Sequence, residues 1–281
     1  MFNKKRLVAI LTGTLLVGSL VGCSAGGASN SGSGSSDSSK ITISGSTSVG
    51  PTMEILAEDY QKANKGTTIE VQQVGSSAGI TNTIDGTSQI GMSSRDLKDE
   101  EKSELKEYQI AIDGIAVITN SANKVKDLTL DQVKDIYTGK ITNWKEVGGN
   151  DADIVVVSRE DGSGTRDGFQ EIVGFESGDL TSNAQISDGS GNIKTTVQGN
   201  ENAIGYISFW YLDDSINSVK IGGVEPKEEN VYNKKYPISR PFLLVTKGDA
   251  TGDAKSFIDY VLSDEGQKTI EKEGFMSVNQ K

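Results

Sequence analysis

The 281-residue chain contains no histidine and a single cysteine. Without imidazole the commonest general base is missing. Ser-His-Asp and Cys-His nucleophiles are therefore excluded, together with Cys/His zinc clusters and intrachain disulfides. Positive charge is also scarce: 28 Lys and Arg stand against 39 Asp and Glu, a formal charge of -11 with a pI near 4.7. That balance argues against nucleic acid as a partner, because such binding depends on Lys and Arg neutralising phosphates. It does not exclude a small anion, since local donors can outweigh the net charge. Nucleotide fingerprints are missing too. Residues 162–168 lack the G-x-G-x-x-G spacing, and no G-x-x-x-x-G-K-[ST] occurs. The composition present, 35% hydrophobic and 24% charged, is that of a water-soluble globular protein. At roughly 100 to 200 residues per domain the length accommodates two lobes, and 33 glycines point to tight turns or backbone-lined sites.

The first forty residues read as an address and a tether. Lys4, Lys5 and Arg6 precede an apolar stretch over residues 7–20 that is too short and too interrupted by Gly and Thr for a permanent span. A secretory signal over residues 1–22 is expected. It ends in Leu20-Val21-Gly22-Cys23, which resembles the bacterial lipobox, where cleavage occurs before a diacylglyceryl-modified Cys. Lipidation would consume the one thiol as a thioether. Residues 24–39 are almost entirely Ser, Gly, Ala and Asn, unable to bury enough apolar surface to order themselves. Together with Cys23 they are expected to form a flexible linker with a reach of roughly 20 to 25 Å. Loss of residues 1–22 would leave 25 basic against 39 acidic residues, a net of -14. The expected location is extracytoplasmic, with the body held at the cell membrane by its lipid.

The body repeats one local design three times. Ile41-Thr42-Ile43 predicts a strand, Ser44-Gly45-Ser46-Thr47-Ser48-Val49-Gly50 a turn, and Pro51 the first turn of a helix. Met53, Leu56, Ala57 and Tyr60 give that helix an apolar stripe, and Asn64 to Gly66 stops it. Residues 68–74 read as a second strand, and Gly75-Ser76-Ser77-Ala78-Gly79 leads into a helix marked by Ile80 and Ile84. The third copy runs from Ile154-Val155-Val156-Val157 through Arg159-Glu160-Asp161-Gly162-Ser163-Gly164-Thr165 to a helix bearing Phe169, Ile172 and Val173. Each turn sets hydroxyls and unobstructed N–H groups at a helix start, where the first amides lack intrahelical partners and the dipole is positive. Any one of them is satisfied by a Ser or Thr N-cap. Three, one carrying an Arg, point to a shared oxyanion site.

These turns, with Ile136-Tyr137-Thr138-Gly139-Lys140-Ile141-Thr142-Asn143-Trp144 and Ala203-Ile204-Gly205-Tyr206, resemble the phosphate-binding lipoproteins of the high-affinity ABC phosphate importer. The resemblance covers the body from Ile41 to the C-terminus. It implies an α/β, type II periplasmic-binding-protein fold with two lobes joined by two crossover strands. Lobe 1 would comprise residues 40–112 plus 240–281 and lobe 2 residues 113–239, with crossovers near 112–119 and 236–246. The partners implied are inorganic phosphate and a membrane ABC permease. Neither cofactor nor metal nor catalytic residue is implied, and a monomer is expected. Matched to the family, Thr47 and Ser48 supply a hydroxyl and an amide from the first turn, and Ser76 a hydroxyl from the second. Arg159 forks onto phosphate oxygens, Ser163, Gly164 and Thr165 donate from the third turn, and Asp161 steadies the arginine. An ion pair with Asp161 is also the alternative use of Arg159.

One departure concerns selectivity. Gly91-Met92-Ser93-Ser94-Arg95-Asp96 places Ser94 where some members carry an aspartate that accepts the proton of monohydrogen phosphate and repels sulfate. Ser94 both donates and accepts, so sharper discrimination would need another acceptor. Arg95 is either a second cationic ligand or part of a solvated face with Asp96, Asp99, Glu100 and Glu101. Arg166 either adds positive potential or pairs with an acid. Asp188-Gly189-Ser190-Gly191-Asn192 reads as a turn, with a lid over the anion as the alternative. Trp144, Tyr137, Tyr206, Phe209 and Trp210 are expected in the core. The rival functions are a receptor for sulfate, molybdate or another tetrahedral oxyanion, a secreted phosphomonoesterase or phosphotransferase, and an adhesion protein using its acidic exterior.

Overall fold

Strands and helices alternate along the chain, which is the pattern that builds parallel sheets. The computed structural model describes residues 39–279; the expected signal segment, Cys23 and the expected linker up to residue 38 lie outside them, whereas Ser39, expected as the last linker residue, instead opens the first strand, held there by its pairing with Thr67. The first stretch comprises β1 (Ser39–Gly45), α1 (Gly50–Ala63), β2 (Thr67–Gln73), α2 (Ser76–Ile84), β3 (Ile90–Ser93) and α3 (Asp99–Glu104), and ends in the long strand β4 (Leu105–Asn120). The middle contains β5 (Asp127–Leu128), α4 (Leu130–Tyr137), β6 (Val155–Arg159), α5 (Gly164–Val173), β7 (Gln185–Ser187), α6 (Gly189–Gln198), β8 (Ala203–Ser208), β9 (Ile216–Ser218), β10 (Lys220–Ile221) and α7 (Glu228–Tyr232). The chain closes with β11 (Ser239–Lys247), α8 (Gly252–Leu262), α9 (Asp264–Lys272) and β12 (Met276–Ser277).

Local chemistry accounts for most of these boundaries. Pro51 lies in the first turn of α1, where its missing N–H costs nothing, and Met53, Leu56 and Ala57 form the buried stripe. Of the β-branched run at 154–157, Val155 onward forms β6, which continues through Arg159. Ser163 caps α5 by accepting from the Arg166 amide at 3.3 Å, and Gly174 ends that helix in the left-handed region at φ 85°.

Two large apolar cores result, with a smaller cluster of Ile80, Leu97, Leu105, Leu243 and Val245. One gathers Ile41, Ile43, Leu56, Met92, Phe242 and Phe257 from the two ends of the chain. The other gathers Ile115, Tyr137, Val157, Phe169, Tyr206 and Ile238 from the middle. The ring of Phe169 stacks on Tyr206 with centroids 4.0 Å apart, and truncation of such a buried aromatic to Ala costs about 3–5 kcal/mol. Trp144, Tyr137, Tyr206 and Phe209 are buried as expected. Trp210 is only half-buried, because the 3-10 turn over Phe209–Tyr211 directs it away from the Phe209 core and against the rim of the other.

Two strands join the cores. The first part of β4 pairs antiparallel with β11, setting Asp113 opposite Arg240, and its last residues pair antiparallel with β8. The resulting order is β2-β1-β3-β11-β4-β8-β6-β7. Within it β1 is parallel to β2 and β3, and β6 is parallel to β7 and β8. Parallel strands present the loops at their carboxyl ends on one edge, where ligands bind in α/β sheets. The loops after β1, β2, β6 and β7 are thereby brought to a common crevice, each opening a helix.

Candidate anion-binding site

Four helix N-termini converge on this crevice. Each supplies hydroxyls and first-turn amides that have no carbonyl partner within their own helix, and their dipoles add positive potential without a net charge. From the β1–α1 turn come Thr47 and Ser48, from the start of α2 Ser76, from the start of α5 Gly164 and Thr165, and from the start of α6 Ser190. All except Thr47 are buried, Ser48, Ser76 and Ser190 completely so. Two backbone features make the approach possible. Gly75 holds φ +91° before α2, a conformation that disfavours any side chain with a Cβ. Gly164 lies so close to the opposite wall that a Cβ there would stand 2.3 Å from the Ser76 Oγ and 2.8 Å from the Ser94 Oγ.

The contacts run across the crevice. Ser48 Oγ and Thr165 Oγ1 share a hydrogen bond of 2.9 Å, with Ser190 Oγ 3.4 Å from Ser48. Ser76 Oγ and Ser94 Oγ lie 3.3 Å apart, and the Ser94 amide donates to Ser76 at 3.2 Å. Arg159, at the end of β6 and 1% exposed, donates through Nη2 to Thr47 Oγ1 at 3.0 Å and through Nη1 to Ser190 Oγ at 3.3 Å. Its other edge is gripped by Glu160, which accepts from Nε at 2.7 Å and from Nη2 at 2.6 Å. Burial alone would raise the Glu160 carboxyl, but the hydrogen bonds and charge of Arg159 outweigh it and hold the group below the usual carboxylate range. Beyond Thr47, Glu160 and Ser190 a cleft of about 550 Å³ opens to solvent between Gln73 on one side and Asp188 on the other.

Such a constellation offers a tetrahedral oxyanion hydroxyls, amides and a planar two-pronged cation in place of water. The chain matches a PBP superfamily domain over residues 25–265. It is 38% identical over 237 residues to the phosphate-binding protein PstS of Bacillus subtilis, spanning 83% of this chain and 78% of that one. The chain belongs to the PstS family of phosphate-binding proteins. Its fold is the type II periplasmic-binding-protein fold. Among solved structures, a phosphate ABC transporter substrate-binding protein of Clostridium perfringens with bound phosphate shares 64% of its sequence at a TM-score of 0.83, covering 85% of this chain and all of that one. An ABC-type phosphate transport receptor from Vibrio cholerae is 39% identical at a TM-score of 0.75, over the same 85% of this chain and the whole of that receptor.

Of the residues selected from the sequence for this PstS-family site, Thr47, Ser48, Ser76, Ser94, Arg159, Gly164 and Thr165 stand together. Ser163 adjoins them as the α5 cap. Asp161 does not steady Arg159. Its carboxylate is 94% exposed and pairs with Arg166 at 2.6 Å, and Glu160 takes the place expected for it. The reason is the course of the chain. Glu160 directly follows the last residue of β6 and lies along the guanidinium edge, whereas Asp161 has turned outward toward the first turn of α5. Arg166 accordingly pairs with an acid and also donates to the Arg159 carbonyl at 3.1 Å. Arg95 is buried rather than part of a solvated face, and its donors are held by Glu101 and Asp167 instead of facing the cluster.

Ser190 and Glu160 are the site residues that the sequence reading undervalued. The 188–192 segment is the start of α6 rather than a plain turn, and its Gly-Ser-Gly repeats the small-residue chemistry of the other three helix starts. That similarity was the available signal. Glu160 had none, because adjacent residues seldom present both side chains to one another.

Proposed function

We propose that this chain captures inorganic phosphate between two lobes, residues 40–112 with 240–281 and residues 113–239, and delivers it to a membrane ABC permease. The observation that carries the reading is the meeting of Thr47, Ser48, Ser76, Arg159 and Thr165 from three separate helix starts, with Ser190 from a fourth. Phosphate exchanges its hydration shell for these donors as the lobes close. Ser48, Ser76, Thr165 and Ser190 hydroxyls turn from one another to the anion oxygens, and the Gly164 and Thr165 amides at the start of α5 donate along the helix dipole. Arg159 supplies the charged fork, oriented beforehand by Glu160, with Ser94 at the turn after β3 completing the ring. Each charged hydrogen bond contributes about 1.5–3 kcal/mol.

No catalytic step is assigned. A seryl or threonyl nucleophile needs an adjacent base, the chain has no histidine, and Glu160, which borders the cluster, is committed to Arg159. Cys23 and its lipobox-like context support a lipid anchor that holds the extracytoplasmic body at the cell membrane. Loss of detergent-phase partitioning in Cys23→Ser tests that anchor. Calorimetric titration with phosphate and with sulfate tests the function, and the absence of a phosphate isotherm refutes it. Ser94 favours a second reading, a broader oxyanion receptor, because its hydroxyl can donate to a fully ionised anion where a carboxylate would repel it. Sulfate binding as tight as phosphate binding would establish that one.

A further inference from the structure

Arg95 is a buried cation that the anion cluster leaves unused. It follows β3, and its guanidinium is 4% exposed. Glu101 grips it with two oxygens, at 2.7 Å on Nη1 and 2.8 Å on Nη2, while Nη1 also donates to the Asp96 carbonyl at 2.8 Å. Those partners belong to the same wall of the crevice: Leu97 packs there with Leu105, Leu243 and Val245. The remaining donor, Nε, reaches Asp167 Oδ2 at 2.9 Å. Asp167 lies on α5, whose Phe169 and Val173 sit in the other core. This ion pair therefore crosses the crevice. Beside it the Ser77 amide donates to the Gly162 carbonyl at 3.1 Å, a second crossing contact, and Ser77 Oγ lies 3.4 Å from Arg95 Nη2. None of Arg95, Ser77 and Asp167 lines the cleft that opens onto the anion cluster.

We propose that Arg95 and Asp167 are positioning residues for anion capture: their ion pair forms when the lobes meet and prolongs the anion's stay without touching it. The proposal rests on the two-lobed capture reading above. An interaction made only in the closed state shifts the open–closed equilibrium by its whole free energy, and anion affinity follows the closed population. Glu101 holds the guanidinium from its own wall whether or not the lobes have met. The pair thus forms at little further cost in side-chain freedom. Because it forms on closing and breaks on opening, its loss should speed anion departure more than it slows arrival. Asp167 also lies in the first turn of α5, where a carboxylate favours the helix dipole, but that contribution is the same open or closed and cancels from affinity.

The test is titration and stopped-flow of the protein with inorganic phosphate, comparing the parent with Asp167→Asn, Asp167→Glu, Arg95→Gln and the Arg95→Gln, Asp167→Asn double variant. Asp167 is 30% exposed on its side chain, so the isosteric change to Asn leaves folding intact, which unliganded melting verifies. Asp167→Asn should weaken phosphate about fivefold, the low end of couplings between distinct sites, through faster dissociation at an unchanged association rate. Asp167→Glu should recover part of the loss, and the double variant should bind no more weakly than Arg95→Gln alone. Parental Kd and dissociation rate in Asp167→Asn, or a loss confined to association, overturns the proposal while leaving the capture reading in place. A parent that binds no phosphate overturns both.

Discussion

Replacing Arg159 with lysine separates the two tasks of this side chain. The guanidinium engages Glu160 through Nε and Nη2 and, on its other side, points Nη1 and Nη2 at Ser190 and Thr47. An ammonium is a point charge without the planar fork and cannot serve both sides at these distances. It settles on Glu160, and the anion loses at least one charged hydrogen bond. At about 1.5–3 kcal/mol for such a bond and 1.4 kcal/mol per tenfold, Kd for phosphate should rise by roughly 10- to 150-fold. Unliganded stability should change little, since Thr47 belongs to the opposite wall and the Glu160 pair survives as an ordinary ion pair. A 1 kcal/mol change in a chain of this size moves Tm by about 2–4 °C. Titration calorimetry of Arg159→Lys, with thermal melts in the absence of phosphate, gives both quantities. An unchanged Kd removes Arg159 from the site, and a collapse of unliganded Tm shows that its role is in folding instead.

Gly164→Ala introduces a Cβ 2.3 Å from Ser76 Oγ. Overpacking of this kind costs about 1–3 kcal/mol; because the clash arises only when the walls meet, phosphate affinity should drop about tenfold with Tm unmoved, and wild-type affinity would show that the crevice need not close this far. Ser94→Asp supplies an acceptor and a negative charge beside Ser76, and should raise the phosphate-over-sulfate affinity ratio about tenfold, roughly the worth of one charged hydrogen bond. Equal ratios in parallel titrations would place Ser94 outside the selectivity determinants. Burial would raise Glu101 and Glu160, but their arginine partners prevail and hold both below the ordinary value of 4.5. Their folded pKa values being depressed, the stability they contribute is complete above about pH 4.5 and disappears as the pH falls through the folded values. Denaturation midpoints should therefore fall on acidification below that point, less steeply in Glu101→Gln; identical acid limbs would contradict the Arg95 pairing.

Much of this site was legible because helix starts are written locally. A β-branched run followed by Gly, Ser and Thr and then an apolar stripe determines a strand, a turn and a capped helix within about twenty residues, as Ile41 to Tyr60 and Val155 to Val173 illustrate. The hydroxyl turns, the helix each one opens and the presence of an arginine beside the third could all be read from spacing and capping chemistry alone. Charge partnership could not. Arg159, Glu160 and Asp161 are consecutive, yet one acid turns back to its neighbour and the next reaches outward to Arg166. Arg95 finds Asp167 across 72 positions of sequence, and Ser190 enters the cluster only because β7 lies beside β6. Capping and periodicity act over one or two turns of backbone, so sequence determines them. Which charges meet, and which helix starts share a crevice, depends on strand order and on how closely two walls approach at Gly164, and the packing of the whole chain decides that.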